Sequence, residues 1–433
     1  MSTIKEAPGP RLSPYLQCFY GLFNLLFLCV MILSFLSVSG TFSRSPEAQT
    51  SNLTTISRSS LLHTNIVPTQ GSSTSARSVI DTISSCSMDN CFNYSRCDKM
   101  EELLVYHYDS QYSPDWYFKD ALKRSPYYTT NPAEACLFLV VDRRRVGGPP
   151  LSRLPYWNHG LNHVVISVVD KPRNPDARSI EMASTMTSIT HQTIYRAGFD
   201  VSVPLPQRKF YPNLQRLSAM GRKYLLTYKG NRCLEVGSRG GRVCIDPVLR
   251  GMHNGKDIVV VTTCKQVSSN EVAKVEARCA KDQFVYDQYK FDDLINSTFA
   301  LVPAGSGVSS YRLMEVLSAG SIPVAISESI VLPFDSLIEW RRCLFVFPPS
   351  QMHRIVPTLQ TLNKDEIEFR REHCLFIYRQ FFGSDDKVVA TTAMAFKSRF
   401  FGVLPKLIPN VPLPPRHLSL KQQQQQQPNL KLQ

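Results

Sequence analysis

The chain has 433 residues, 43% hydrophobic and 19% charged, which excludes a disordered protein and leaves room for two ordinary domains. Its 49 basic and 35 acidic residues leave a net charge of +14, which favours an anionic partner such as nucleic acid, an acidic membrane or an acidic polymer. No period of roughly 20–50 residues repeats, so a solenoid is excluded.

Residues 1–14 carry Lys5 and Arg11 and lead into an apolar run, residues 15–38, with no charge between Arg11 and Arg44. Its 24 residues are enough to cross a bilayer. A signal peptide has a shorter apolar stretch of roughly 7–15 residues. A cleavable signal remains the alternative, because Val38-Ser39-Gly40 is a tolerable cleavage site. The basic residues before the run put the N-terminus on the cytosolic side. A single-pass, type II membrane protein is therefore expected, its folded part outside the cytosol and away from nucleic acid.

Residues 39–85 follow as a stem. Of the 45 residues from 41 to 85, 20 are Ser or Thr without apolar periodicity, so no packed core is expected there. Ten of the 12 cysteines lie beyond the apolar run, which suits an oxidising lumen. Cys86, Cys91, Cys97 and Cys136 cluster, and their three connectivities stay open. A zinc site is the rival there, but finger spacing is missing. Cys233 with Cys244, and Cys264 with Cys279, suit local pairs. Sequons at Asn52, Asn93 and Asn296 fit a secretory glycoprotein.

Short apolar runs at 137–141, 164–169 and 201–203 read as buried strands. A second series follows at 224–228, 258–263, 299–303, 322–327 and 344–347. Separated by helix-length segments, they predict parallel sheets in two α/β lobes, 86–223 and 224–405, with a break near 208–223. Residues 406–433 form a low-complexity tail containing six consecutive glutamines. Ligands of open α/β sheets lie beyond the carboxyl ends of the strands, so the loops there are expected to carry the chemistry.

The most informative such loop runs from Ala304 through Gly305 to Ser310, between the strand at 299–303 and a helix over 311–319 that Gly320 ends. Ser309 or Ser310 would cap that helix, whose first turn carries Arg312 for phosphate oxygens. Glu315, three residues on, shares its face and would accept ribose hydroxyls. A surface Arg–Glu pair is the alternative. The loop is not a P-loop, because it lacks the Gly-Lys-Ser/Thr ending.

Leu294-Ile295-Asn296-Ser297-Thr298-Phe299, Leu301-Val302-Pro303, Arg312, Glu315, Ala319-Gly320, Ile322-Pro323-Val324 and Leu332-Pro333-Phe334 resemble the signature of the exostosin family. So do Tyr228-Lys229-Gly230-Asn231-Arg232, His253-Asn254-Gly255-Lys256-Asp257, Cys86-Ser87-Met88-Asp89-Asn90-Cys91, Trp157-Asn158-His159-Gly160 and Phe199-Asp200-Val201-Ser202-Val203-Pro204. The resemblance spans residues 86–400 in order.

It implies a GT-B-type fold of two Rossmann-like lobes, and inverting β1,4 transfer of glucuronic acid from UDP-glucuronate to N-acetylglucosamine ends of heparan sulfate. It also implies a second exostosin-like subunit as partner, residence in the Golgi or endoplasmic reticulum, and no cofactor or metal. The sequence has no Asp-X-Asp triplet. Donor binding would fall to Lys229, Gly230, Arg232, Gly305, Ser310, Arg312 and Glu315. Base candidates are His163, His159 and Asp200; Trp157 and Asn158 would meet the acceptor. For each of these first-lobe residues a purely structural role is the alternative.

The family's phosphate loop is rich in arginine, whereas this chain has Ala304, Ser306 and Gly307 at those positions and Ser309 for a glycine. Ala300 and Ser321 stand where the family has cysteines, and Cys343 with Cys374 offers a replacement pair. These departures keep two further hypotheses open: a non-catalytic subunit of a polymerase complex, and a glycan-binding lectin.

Overall fold

The computed structural model describes residues 86–97, 102–113, 115–141, 150–168, 180–188, 192–236, 241–263, 272–304 and 309–401. The apolar run at 15–38, the stem with Asn52, the tail, Cys264 and Gly305 lie outside these residues. Among the described residues no helix is long and apolar enough to cross a membrane.

The first sheet contains β1 (Val105–His107), β2 (Leu137–Val141), β3 (His163–Ser167), β4 (Ser184–Thr187) and β5 (Val201–Ser202). All its pairings are parallel, and spatial order follows chain order. Sequence reading missed β1 and β4. Strand β4 is Ser-Thr-Met-Thr and shows no apolar run. Its polar groups are instead satisfied inside: Ser184 Oγ donates to the Phe199 carbonyl at 2.6 Å, and the Thr185 amide donates to Asp200 at 2.7 Å.

The second sheet contains β6 (Tyr224–Asn231), β9 (Ile258–Thr263), β10 (Ser297–Pro303), β11 (Ile322–Ile326) and β12 (Phe345–Phe347), again all parallel. A hairpin of β7 (Cys233–Val236) and β8 (Gly241–Cys244) projects between β6 and β9. Every residue of β10 and β11 is buried, as expected for strands covered on both faces. The spatial order is β12-β11-β10-β6-β9. From β6 the chain steps outward to β9, then returns to the other side of β6 for β10. The strand order therefore reverses between β6 and β10.

Helices α1 (Val272–Asp287), α2 (Phe291–Leu294), α3 (Arg312–Ser318) and α4 (Lys364–Ile377) belong to the second sheet's part of the chain. Helix α5 (Asp385–Phe401) packs back on the first: Val388, Val389, Ala393 and Phe396 line an apolar cavity of about 30 Å³ with Val105, Leu137 and Met186. Arg399 anchors it by donating to the carbonyls of Phe199 and Asp200, both at 2.7 Å.

Disulfides join Cys86–Cys91, Cys97–Cys136, Cys233–Cys244 and Cys343–Cys374, which closes the connectivity left open by sequence and removes the zinc alternative. Asn93 is exposed, and its Oδ1 accepts from the Ser95 amide at 3.0 Å and hydroxyl at 2.7 Å. The Asn296 sequon is different. Its Oδ1 is buried, and Thr298 lies within β10 donating to the Ala219 carbonyl at 2.8 Å. Asn296 itself is half-buried and immediately precedes β10, so its sequon is less open than that of Asn93.

Candidate active site

Ligand sites of open α/β sheets form at the carboxyl ends of strands where the order reverses. The first sheet has no reversal among its described strands; the second has one. At the carboxyl ends of β6 and β10 lies a cleft of about 620 Å³, lined by Arg208, Lys209, Tyr228, Lys229, Gly230, Asn231, Tyr286, Phe291, Pro303, Ala304, Ser310, Tyr311, Arg312 and Glu315. Six of the seven donor-side candidates read from sequence have described positions, and five of these six line it.

Arg312 opens α3, with its guanidinium carbon 4.8 Å from the Tyr228 ring and 5.1 Å from the Phe291 ring. Its Nη2 donates to the Lys229 carbonyl at 2.6 Å, which aims the fork into the cleft. Gly230 makes this geometry possible. A Cβ there would stand 2.7 Å from the Tyr228 hydroxyl oxygen and 3.4 Å from Arg312 Nη2. That hydroxyl is itself held, donating to the Asn231 carbonyl at 2.9 Å.

Glu315 is only 9% exposed, and among the described residues no donor binds its carboxylate. Burial raises its pKa above the ordinary value, while Arg312, Lys209 and Arg208 pull it back down. A carboxylate so placed is an unused acceptor facing three cations. Lys229 stands on the opposite wall, where Nζ donates to the Tyr286 carbonyl at 2.5 Å and sits 3.3 Å from the Tyr286 ring centre. Burial lowers its pKa, partly offset by Asp287.

Helix α3 has seven residues, shorter than the 311–319 expectation, and the Arg312 amide donates to Ser310 Oγ at 3.3 Å. Gly320 takes φ +71° just beyond it, as the stop signal predicts.

Arg232 requires correction. It does not line the cleft; its guanidinium pairs with Asp282 of α1 and its Nε donates to Thr262 Oγ1 at 3.3 Å. One residue past the end of β6, it has turned toward α1.

The first-lobe candidates are corrected together, because all five lie at the amino ends of their strands. His163, the first residue of β3, is 1% exposed. Its Nδ1 lies 2.9 Å from the Leu161 carbonyl and so carries the proton; Nε2 accepts from the Tyr108 hydroxyl at 2.9 Å. Burial lowers its pKa to about 4, so it is a neutral core histidine. Asp200 is 2% exposed and accepts from the amides of Thr185 and Arg196 and from the Arg196 guanidinium, leaving it no free role as a base. Trp157 is 4% exposed and packs with Leu151, Leu154 and Val165. Asn158 and His159 form an exposed left-handed turn, φ 39° and 54°, with His159 Nδ1 3.2 Å from Glu181. That turn is pinned by Gly160, φ +84°, where a Cβ would lie 2.6 Å from the Ala183 amide.

Sequence reading missed Arg208 and Lys209, which reach the cleft from the segment joining the lobes. Their signal was the basic doublet inside the expected break at 208–223. Tyr211 also arrives from there, its hydroxyl donating to Asp292 at 2.5 Å.

The Exostosin GT47 domain model matches residues 79–362. The chain is 33% identical over 356 residues to Exostosin-1 of Drosophila melanogaster, covering 72% of this chain and 45% of that protein. It is 31% identical to Exostosin-1c of Danio rerio, covering 73% and 46%. It thus spans less than half the length of these relatives. Among solved structures, AviGT4, a glycosyltransferase involved in avilamycin A biosynthesis, is 13% identical with a TM-score of 0.34, covering 70% of this chain and 99% of that one. A trehalose-6-phosphate structure from E. coli with UDP-2-fluoro glucose gives 10% and 0.35, covering 62% and 74%. On the extent of the family match and the identity to its members, the chain belongs to the exostosin family of GT47 glycosyltransferases.

Proposed function

We propose that the chain is a GT-B-type, inverting transferase that moves glucuronic acid from UDP-glucuronate to N-acetylglucosamine ends of heparan sulfate in β1,4 linkage. It needs no metal or other cofactor. Residues 15–38 anchor it as a type II protein of the Golgi or endoplasmic reticulum, where it pairs with a second exostosin-like subunit. The observation that carries the donor half of this reading is the cleft at the strand reversal, where Arg312 converges with Glu315, whose carboxylate has no donor among the described residues. In it Glu315 accepts the ribose hydroxyls and Arg312 adds positive charge beside the diphosphate, which needs it on leaving.

One observation favours a second reading. None of His163, Asp200 and His159 stands at a carboxyl end of the first sheet, so none is poised to take a proton from an acceptor over the cleft. On this reading the chain binds a nucleotide sugar but supports catalysis by its partner.

The test is UDP release from UDP-glucuronate with a heparan-type acceptor ending in N-acetylglucosamine, by the purified protein alone and co-expressed with a second exostosin-like subunit. Turnover alone that Glu315→Ala abolishes supports the transferase. Activity only in the complex, indifferent to Glu315→Ala, establishes the subunit reading.

A further inference from the structure

We propose that Arg208, from the segment between the lobes, is the main diphosphate-binding cation of the cleft and that Tyr311 positions it. This rests on the nucleotide-sugar reading above and names the group that meets the phosphates.

The loop 304–310 contains no basic residue, so charge for an anion must come from elsewhere. Among the described residues four cations line the cleft, and three already donate to a protein acceptor. Lys209 Nζ binds both carboxylate oxygens of Asp292, at 2.7 and 3.0 Å. Lys229 donates to the Tyr286 carbonyl, and Arg312 to the Lys229 carbonyl. Arg208 differs: its guanidinium carbon lies 3.5 Å from the Tyr311 ring centre, and among the described residues it has no hydrogen-bond acceptor or ion-pair partner.

Stacking orients a guanidinium through its face. The N–H donors lie in its plane and are not used by the ring. Arg208 is thus held in place with its fork unspent, and a planar fork pairs two oxygens of a phosphate at once. Glu315 faces the same space and takes hydroxyls rather than anions, which leaves the diphosphate to the Arg208 side. Because Arg208 precedes the second lobe in the chain, an anion held between it and Arg312 also ties the interlobe segment to α3.

The test is titration calorimetry on the whole protein with UDP, UDP-glucuronate, uridine and inorganic pyrophosphate. Arg208 is exposed, so Arg208→Gln should keep the wild-type melting temperature. It should bind UDP and pyrophosphate at least about tenfold more weakly, with uridine changed by less than about twofold. Tyr311→Phe, which keeps the stacked ring, should retain more UDP affinity than Tyr311→Leu, which should lose affinity in the same direction as Arg208→Gln. Wild-type UDP affinity in Arg208→Gln overturns the proposal, as does an equal loss for uridine. A loss confined to UDP-glucuronate also overturns it, since Arg208 would then read the sugar carboxylate. If wild-type protein binds pyrophosphate through Arg208 but no UDP, the anion site stands and the nucleotide reading falls.

Discussion

Acidification tests whether His163 is a core residue or a base. In the folded state burial holds its pKa at about 4, against 6.5 in the open chain. As pH falls, the unfolded state takes up the proton first, so folded stability is unaffected above about 6.5 and declines progressively toward 4. At ~1.36 kcal/mol per pH unit, that shift costs the folded state about 3 kcal/mol once the pH has fallen below 4. Protonation would place a charge against the rings of Phe138 and Trp157, at 5.0 and 4.8 Å, and take the acceptor from Tyr108. His107, also lowered to about 4 by burial, adds its own slope, so a variant must separate the two. His163→Phe orphans the Tyr108 hydroxyl and the Leu161 carbonyl, which should cost about 2–4 kcal/mol at pH 7.5. It should also flatten the pH dependence of the urea midpoint between 6.5 and 4 relative to wild type. An unchanged slope and stability would refute the argument. Lost turnover at unaltered stability would restore His163 as a base.

Glu315 gives the opposite kind of pH effect. Its raised pKa predicts that donor binding, complete when the carboxylate is ionised, weakens as pH falls through a value above the ordinary 4.5. Calorimetric UDP titrations should show this in wild type and a flat profile in Glu315→Gln; a profile shared by both would remove Glu315 from the site. Chelator should leave transferase activity intact, and its abolition would point to a metal-dependent step. Glycopeptide mapping of the secreted or membrane-bound protein should find higher occupancy on the exposed Asn93 than on the half-buried Asn296, whose Oδ1 is buried; equal or reversed occupancy would refute the ranking.

The Cys343–Cys374 bridge ties the turn before β12 to α4, with both cysteines fully buried. It stands in the same lobe as Ala300 and Ser321, where the family pattern has cysteines. Ser321 is not idle: its hydroxyl donates to the carbonyls of Ile295 and Ser297, at 3.0 and 2.6 Å. A hydrogen-bonded serine thus links the same two segments, β10 and the approach to β11, that a cysteine pair would join.

Local pattern carried much of the second lobe. The buried strands are short continuous apolar runs, Arg312 and Glu315 stand at helical spacing and Gly320 marks the stop, so strand, loop and helix were legible without contacts. The first lobe was less legible, for two reasons. Strand β4 tolerates polar residues because the Ser184 hydroxyl and the Thr185 amide bond to Phe199 and Asp200 just before β5, an arrangement that depends on residues 15 positions away. More important, a residue beside a strand carries no local mark of which end of the sheet it occupies or whether its ring is buried. His163, Asp200 and Trp157 therefore looked like chemistry and proved to be core. For the same reason Arg232, read as a donor-site residue, pairs with Asp282 instead, while Arg208, given no role by the sequence, lines the cleft. Direction is a property of the whole sheet, and only the reversal between β6 and β10 decided where the cleft opens and which cations reach it.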